Sequence, residues 1–512
     1  MLNMGVAMCD RHAADPDKVA LIHVAQDGSV HPYTYVHLRD ASNRLANVLL
    51  ARGLTTGDRV AVLLEQSPEA AIAHLAALRA GLVSIPLSTL FGVDALKYRL
   101  ADSGAAAVVT NIANAEKLES LVAELPELKV VLSVGGATGC SAGFETELAR
   151  AASAFTPVQT RADQPAMMMY TSGTTGNPKG CLHAHRFLLG HVPGVAMPHE
   201  FFPQPGDRIW TPADWAWIGG LLNVLFVSLL SGVPVVTHRP RKFDPQHALD
   251  LMTTHGVRNL FMPPAALRQL CEAKVPARLA LRTIGSGGDP LAPATAAWCQ
   301  EALGAPVNEF YGQTECNLVL SNCAGLSSLR VGSLGRPVPG HAVALIDEDG
   351  QEVPAGTLGT IAVRRPDPVM FVGYWNNPAA TEAKFHGDWL VTGDLAIRDD
   401  EGFFYFRGRS DDLIKSSGYR IGPGEVEEAV EKHPAVAQAA VIGVPDADRG
   451  QIVKAFVVLK NGAQGGPELI SDIQTFVRTR LAAHEYPREI AFLPELPRTA
   501  SGKLQRSALR QL

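Results

Sequence analysis

The chain has little excess of either charge. Lysine and arginine number 45 against 51 aspartates and glutamates, a net charge of −6, so no bulk electrostatic case exists for nucleic acid or an anionic membrane surface. Cysteine is scarce and scattered. The seven (Cys9, Cys140, Cys181, Cys271, Cys299, Cys316, Cys323) are odd in number and contain no CxxC pair. That pattern argues against a disulfide framework or metal cluster and makes a reducing cytoplasm the expected compartment. No apolar run is long enough to span a bilayer. The longest, Ile218 to Leu230, is broken by Asn223 and Ser228 and reads as a buried helix. The opening MLNMGVAMCDRHAADPDK lacks the basic start and apolar core of a signal peptide, and the closing ALRQL is no peroxisomal address. Two nucleotide motifs are missing as well: the Walker A Gly-Lys-Ser/Thr and the kinase GxGxxG.

What is present points to a large, loop-rich globular protein. The chain has 512 residues, 46% of them apolar, with 47 glycines and 35 prolines, enough for a sizeable core and two or more domains. Val60–Leu64 has the look of a buried strand. Ser67 caps a helix with Pro68 at its first position, Gly81 stops it, and Val83–Pro86 is a second strand. Asp94 to Gly104 repeats the cap-and-stop logic before a strand at Ala106–Thr110. Strands alternating with helices imply parallel βαβ units.

About 150 residues on, the pattern recurs. Gly206-Asp207-Arg208-Ile209 echoes Gly57-Asp58-Arg59-Val60, Gly232 ends an apolar helix as Gly81 does, Val233–Val236 is strand-like, and Asp244–Gly256 mirrors Asp94–Gly104. Coincidence within an α/β chain is one reading. The other is two similar α/β subdomains facing each other across a cleft.

Beyond Arg330 short strands alternate with Gly, Pro and Asp turns, including an Asp349-Gly350 hairpin signal. After an aromatic strand, Phe403–Phe406, the charged junction RGRSDD (407–412) leads into a helix from Glu425, apolar runs at Ala437–Val444 and Ile452–Leu459, and a helix through Leu469–Leu481. The fold class expected is α/β. A large N-terminal domain (1–410) would hold two similar α/β subdomains plus a small β-rich one, followed by a small mobile α+β C-terminal domain (411–512).

One loop raises a chemical question. MMMYTSGTTGNPKG (167–180) runs from an apolar strand into Thr, Ser and Gly with a single lysine. Glycines expose backbone N–H groups, Thr171, Ser172, Thr174 and Thr175 add hydroxyls, and Lys179 adds a cation. Such a donor set suits a polyphosphate, although a solvated turn has the same composition.

The loop resembles the phosphate loop of the adenylate-forming superfamily, which includes AMP-forming acyl-CoA synthetases, carrier-loading adenylation domains and beetle luciferases. SGGDPL (286–291), YGQTE (311–315), GYWNNPAAT (373–381), WLVTGD (389–394), GRSDDLIKSSGYRIGPGEVE (408–427) and PRTASGKLQR (497–506) follow in the family's order. Together they cover most of the chain from Thr171 onward.

The resemblance implies roles. Thr171, Ser172, Gly173, Thr174, Thr175, Gly176 and Lys179 would hold phosphates. Tyr311 would stack on adenine, with Gly288, Asp289 and Pro290 on its other face and Glu309, Phe310, Gly312 and Gln313 also part of the ATP/AMP-binding site. Thr314 would contact the α-phosphate and Glu315 would bind Mg²⁺, an ion that takes few protein oxygens. Asp394 and Arg409 would hold the ribose. Lys503 would be the catalytic lysine, stabilising charge at the attacked phosphate, and Asp411 the hinge. Ser417, Gly418 and Tyr419 would line the pantetheine tunnel, with Arg420 a phosphate contact. His183 and His185 are expected to be structural residues at a helix start, since the reaction needs no histidine base.

The implied reaction joins ATP, CoA and a carboxylic acid through an acyl-adenylate. Trp217, Gly219 and Gly220 occupy the place of the acyl-pocket helix. Acetate-specific members carry tryptophan where this chain has Gly312, so a larger acid is expected: apolar, and medium-chain, branched or small aromatic. A luciferase-type acyl-AMP oxygenase and an adenylation enzyme loading a carrier in trans are the alternatives. The family pattern also admits a homodimer, and acetylation of Lys503 by an acetyltransferase with reversal by a deacetylase.

Overall fold

The computed structural model describes residues 1–171, 177–238, 242–410, 412, 414–416, 419–446, 449–481, 486–498 and 504–512, and only the backbone of Lys415, Tyr419, Arg420 and Glu425. By contact the chain divides into two compact units: Met1–Ala342 with Arg364–Asp388, and Val343–Val363 with Trp389–Leu512. The expected boundary at 410/411 falls inside the second, and Asp411 lies outside the described residues.

The first unit contains an eight-stranded and a nine-stranded sheet. In the eight-stranded sheet the strand Arg59–Leu63 lies between Val83–Pro86 and Ala105–Asn111, parallel to both. The intervening helix Pro68–Arg79 starts where the Ser67 hydroxyl accepts from Ala70 N–H at 3.2 Å and Pro68 lacks the N–H that a first turn would leave unpaired. In the nine-stranded sheet Ile209–Trp210 lies between Val235–Thr237 and Asn259–Phe261, again parallel to both. The order is the same: second strand, first strand, third strand.

The echo in sequence is therefore an echo in structure, down to single bonds. Asp58 and Asp207 each accept at 2.8 Å from the N–H three residues before. Arg59 donates to the carbonyls of Ser103 and Gly104, both at 2.7 Å, and Arg208 to that of His255. Each arginine thus sits at the carbonyl end of the next helix but one, where a cation is favoured.

Three local expectations are corrected. The helix Val93–Ser103 is capped by Gly92, with Asp94 inside its first turn. The strand expected from Val233 begins at Val235, because Val233 and Pro234 close the turn after Gly232 (φ +75°). His183 lies in the strand Lys179–Ala184 rather than at a helix start, and His185 follows that strand with Nδ1 accepting from Met4 N–H at 3.2 Å. Both rings are fully buried, and burial pushes them down to about 3 and about 4, so they are neutral.

One buried cluster runs through both halves of the first unit, from Leu75 and Met167 to Leu221, Phe226 and Phe310. Each large apolar side chain withdrawn this way contributes about 1.5–3 kcal/mol. Polar links cross the same seam: Gln66 Nε2 donates to Thr211 O at 3.2 Å, and Ser88 Oγ to Asp214 Oδ2 at 3.1 Å.

In the second unit a β-rich part is built on Val343–Ile346, Leu358–Arg364, Trp389–Arg398 and Phe404–Arg409. The hairpin signal holds, with Asp347 N–H donating to Gln351 O and Gly350 at φ +77°. An α+β part follows. Val436–Asp446 and Gly450–Leu459 pair antiparallel along ten positions, and the helices Pro423–Glu431 and Pro467–Arg478 bury Val426, Val430, Ile473 and Val477 in its core. Among the described residues no helix is long and apolar enough to cross a membrane.

Candidate functional site

The first unit gathers several of the motif residues. The strands Pro165–Thr171 and Lys179–Ala184 form an antiparallel hairpin in which Thr171 pairs with Lys179. Ser172, Gly173, Thr174, Thr175 and Gly176 lie outside the described residues. Tyr98 Oη donates to Pro178 O at 3.0 Å and holds the outgoing limb. Lys179 Nζ stands 5.2 Å from the centre of the Tyr374 ring, a cation over an aromatic face.

Tyr374 leads on to the acidic residue of YGQTE. Its hydroxyl donates to Glu315 Oε1 at 2.5 Å, and both side chains are buried. That distance is in the range of a hydrogen bond to an ionised carboxylate. Burial, with the Glu315 charge second, drives the phenol far above its ordinary range, so it stays a donor. Backbone fixes the pair too: Phe371 N–H donates to Glu315 O at 2.8 Å, and Asn317 Nδ2 to Val369 O at 2.8 Å. Among the described residues nothing donates to Glu315 Oε2. The motif GYWNNPAAT by itself gives its tyrosine no role; only the fold brings it to Glu315.

Tyr311 and Phe310 lie on the buried strand Val307–Gln313, which pairs antiparallel with Asn317–Ser321 around Thr314 and Glu315. The register shifts between Tyr311 and Gly312, and there the chain doubles back tightly. A Cβ on Gly312 would lie 1.6 Å from Asn317 O. Glycine is obligatory for this backbone whatever space it also opens. The buried His183 ring, whose Nε2 stands 3.5 Å from Cys181 Sγ, lies close to Thr314.

Gly288 has φ +99° and, with Pro290, is exposed beyond the strand Thr283–Gly287. Burial pushes the Glu309 carboxyl up to about 7, against the opposing pull of the Leu291 and Gly332 backbone N–H groups. Trp217 packs edge-on to Phe91 at 6.2 Å. A Cβ on Gly219 would touch the Phe261 ring at 3.0 Å, and Phe261 lies 5.5 Å from the Phe310 ring. A Cβ on Gly220 would meet Asp214 O at 2.5 Å. The helical run that starts at Ile218 contains a π-helical turn, Leu221–Phe226, before resuming as Val227–Ser231.

In the second unit Asp394 and Arg409 are cross-strand partners, with Arg409 Nη1 donating to Asp394 Oδ1 at 3.0 Å. Thr392 and Gly393 (φ +78°) turn the backbone so that Asp394 N–H meets Thr392 Oγ1 at 3.1 Å. Arg420 and Tyr419 belong to the strand Tyr419–Ile421, where Tyr419 pairs with Ser416. Asp411, Ser417, Gly418 and Lys503 lie outside the described residues.

Comparison with known proteins adds two kinds of match. The family described as AMP-binding enzyme matches residues 9–375, and the AMP-binding enzyme C-terminal domain matches residues 425–503. The chain is 36% identical to the human mitochondrial acyl-coenzyme A synthetase ACSM4, over 97% of this chain and 87% of that protein. It is 35% identical to the acetyl-coenzyme A synthetase of Bacillus subtilis (strain 168), over 99% and 90%. Its fold matches a benzoate CoA ligase from Burkholderia xenovorans LB400 with a TM-score of 0.87, 29% identity and full coverage of both chains.

Proposed function

This chain belongs to the AMP-binding enzyme family and is an AMP-forming acyl-CoA synthetase, and from that premise we propose how its residues divide the work. A carboxylate oxygen attacks the α-phosphorus of ATP, pyrophosphate leaves, and an acyl-adenylate forms. The CoA sulfur then attacks the acyl carbon, the thiol proton goes to solvent, and AMP leaves. AMP is a good leaving group, so positioning governs the second step.

The observation that supports this reading best is the string Lys179–Tyr374–Glu315 at the end of the Thr171–Lys179 hairpin. It sets a cation and a fixed carboxylate beside a glycine- and hydroxyl-rich loop. Phosphates take the loop donors with Thr171, Ser172, Thr174, Thr175 and Lys179, and Thr314 meets the α-phosphate. Tyr311 stacks on adenine against Gly288, Asp289 and Pro290. Asp394 and Arg409 take the ribose hydroxyls.

Glu315 fits a magnesium ion. One oxygen is tied to Tyr374, and among the described residues no three His, Cys, Asp or Glu side chains converge as a cage. Mg²⁺ would be held by this carboxylate with phosphate oxygens and water, where it neutralises phosphate charge. Lys503 supplies a donor to the attacked phosphate, and the chain swings about Asp411 to exchange it for the Ser417–Arg420 segment and the thiol. Acetylation of Lys503 would remove that charge. A reducing cytoplasm suits the seven free thiols.

The acid has an apolar body, medium-chain, branched or small aromatic, lodged beside Trp217, Gly219 and Gly220. Gly312 bears on this choice differently from a simple vacancy. A tryptophan there would need another hairpin backbone as well as room for an indole. Labelled ATP incubated with a panel of organic acids tests the whole. AMP and pyrophosphate are expected, with thioester when free CoA is supplied; ADP, or acyl transfer only to a phosphopantetheinyl carrier, overturns it.

A further inference from the structure

The π-helical turn Leu221–Phe226 has the sequence LLNVLF, and its one polar side chain is Asn223. A π turn widens a helix by one residue and recurs at functional sites. Asn223 is 3% exposed and therefore must find partners inside the protein. It finds one. His191, on the helix Phe187–Ala196, places Nε2 at 2.8 Å from Asn223 Oδ1.

That bond orients the carboxamide. Oδ1 can only accept, so His191 donates through Nε2, and its Nδ1 is left as a buried lone pair without a partner. Burial pushes the ring down to about 4, which keeps it neutral and in this tautomer near neutral pH. The opposite end of the amide, Nδ2, donates to no described residue. It lies 4.0 Å from the position a Cβ on Gly219 would take, on the side where Gly219 also faces the Phe261 ring. The absence of a side chain at Gly219 is what leaves the amide uncovered. A donor with no described acceptor on a residue this enclosed is free to meet a ligand that supplies one.

We propose that Asn223 is a specificity residue, and that the acyl group carries one neutral hydrogen-bond acceptor, a ketone, ether or ring heteroatom, which receives its Nδ2–H. This rests on the reading of Gly219 as part of the acyl pocket. It narrows the expected acid from wholly apolar to an apolar body bearing one acceptor away from the carboxylate. His191 is the positioning residue that aims the amide.

Matched acids test it by pyrophosphate release. Each alkanoic acid is compared with the same chain in which one methylene becomes a carbonyl or ether oxygen, stepped along its length, and ethyl-substituted with methoxy-substituted benzoic acids. Wild-type kcat/KM should favour the oxygen-bearing acid at one position by about tenfold or more. Asn223→Leu, similar in size but without the N–H, should abolish or invert that preference. The wild-type comparison stands alone if the variant folds poorly. Preference for the methylene member at every position, preference for hydroxyl donors over ethers, or an equal loss for both members in Asn223→Leu overturns the proposal. No pyrophosphate release with any acid overturns the synthetase reading itself.

Discussion

Replacing Tyr374 by phenylalanine removes one hydroxyl and leaves the ring, its burial and its contact with Lys179 in place. What is lost is the 2.5 Å bond to Glu315. A hydrogen bond to a charged partner contributes about 1.5–3 kcal/mol, and here the carboxylate is left buried with no substitute donor from the described residues. With an unfolding entropy of roughly 2.1 cal/mol/K per residue over a unit of this size, melting temperature falls by about 2–4 °C. A second effect separates a structural bond from one that serves the metal. Partners that orient a ligating carboxylate typically change metal affinity by about 10–100-fold. The Mg²⁺ concentration giving half-maximal AMP formation should therefore rise about tenfold or more, while KM for ATP at saturating Mg²⁺ stays near wild type because the Lys179–ring contact survives. Thermal unfolding followed by a Mg²⁺ titration of AMP release measures both. An unchanged melting temperature together with an unchanged titration would falsify the pairing as described.

Further expectations concern other parts of the site. Gly312→Ala places a carbon 1.6 Å from Asn317 O, so the hairpin must shift. A loss of at least about 1–3 kcal/mol in urea unfolding and lower activity with all acids alike are expected. A normally stable variant merely restricted to acetate would show that the backbone does not demand glycine. Glu309 has its carboxyl raised from 4.5 to about 7 by burial. Between those values the folded protein keeps a proton that the unfolded chain has released, so its contribution to stability is complete at low pH and declines as pH rises through about 7. Glu309→Gln should flatten that part of a plot of melting temperature against pH, and an unaltered slope would exclude Glu309 as its source. Lys503→Ala should slow adenylation by at least ~10²–10³-fold yet still convert supplied acyl-AMP and CoA to thioester. Gly418→Leu should do the reverse, and loss of both half-reactions in either variant would separate these residues from the roles assigned.

Much of the architecture was legible because it is local. Ser67, Pro68 and Gly81 bound the helix Pro68–Arg79 as their capping chemistry requires, and Asp244 and Gly256 bound the helix Pro245–Thr254, the counterpart of Val93–Ser103. The repeated Gly-Asp-Arg could be heard twice because each aspartate bonds three residues back and each arginine reaches the end of the next helix but one. Motif order along the chain likewise needs no folding to be read. Misplacement came where burial overrides local preference. His183 carries no strand signal of its own, yet pairing with the strand Pro165–Thr171 draws it into the core.

The sequence alone thus determined the class of fold, the internal repeat and the order of the family motifs, all properties carried by neighbouring residues or by spacing. Tertiary structure alone decided that Tyr374 meets Glu315, that Gly312 faces a carbonyl, and that Asn223 is held by His191 with both Nδ2 hydrogens unclaimed among the described residues. Those facts join residues brought together by sheet pairing and helix packing. Their energies arise from desolvation and distance, which no stretch of sequence contains until the chain has closed around them.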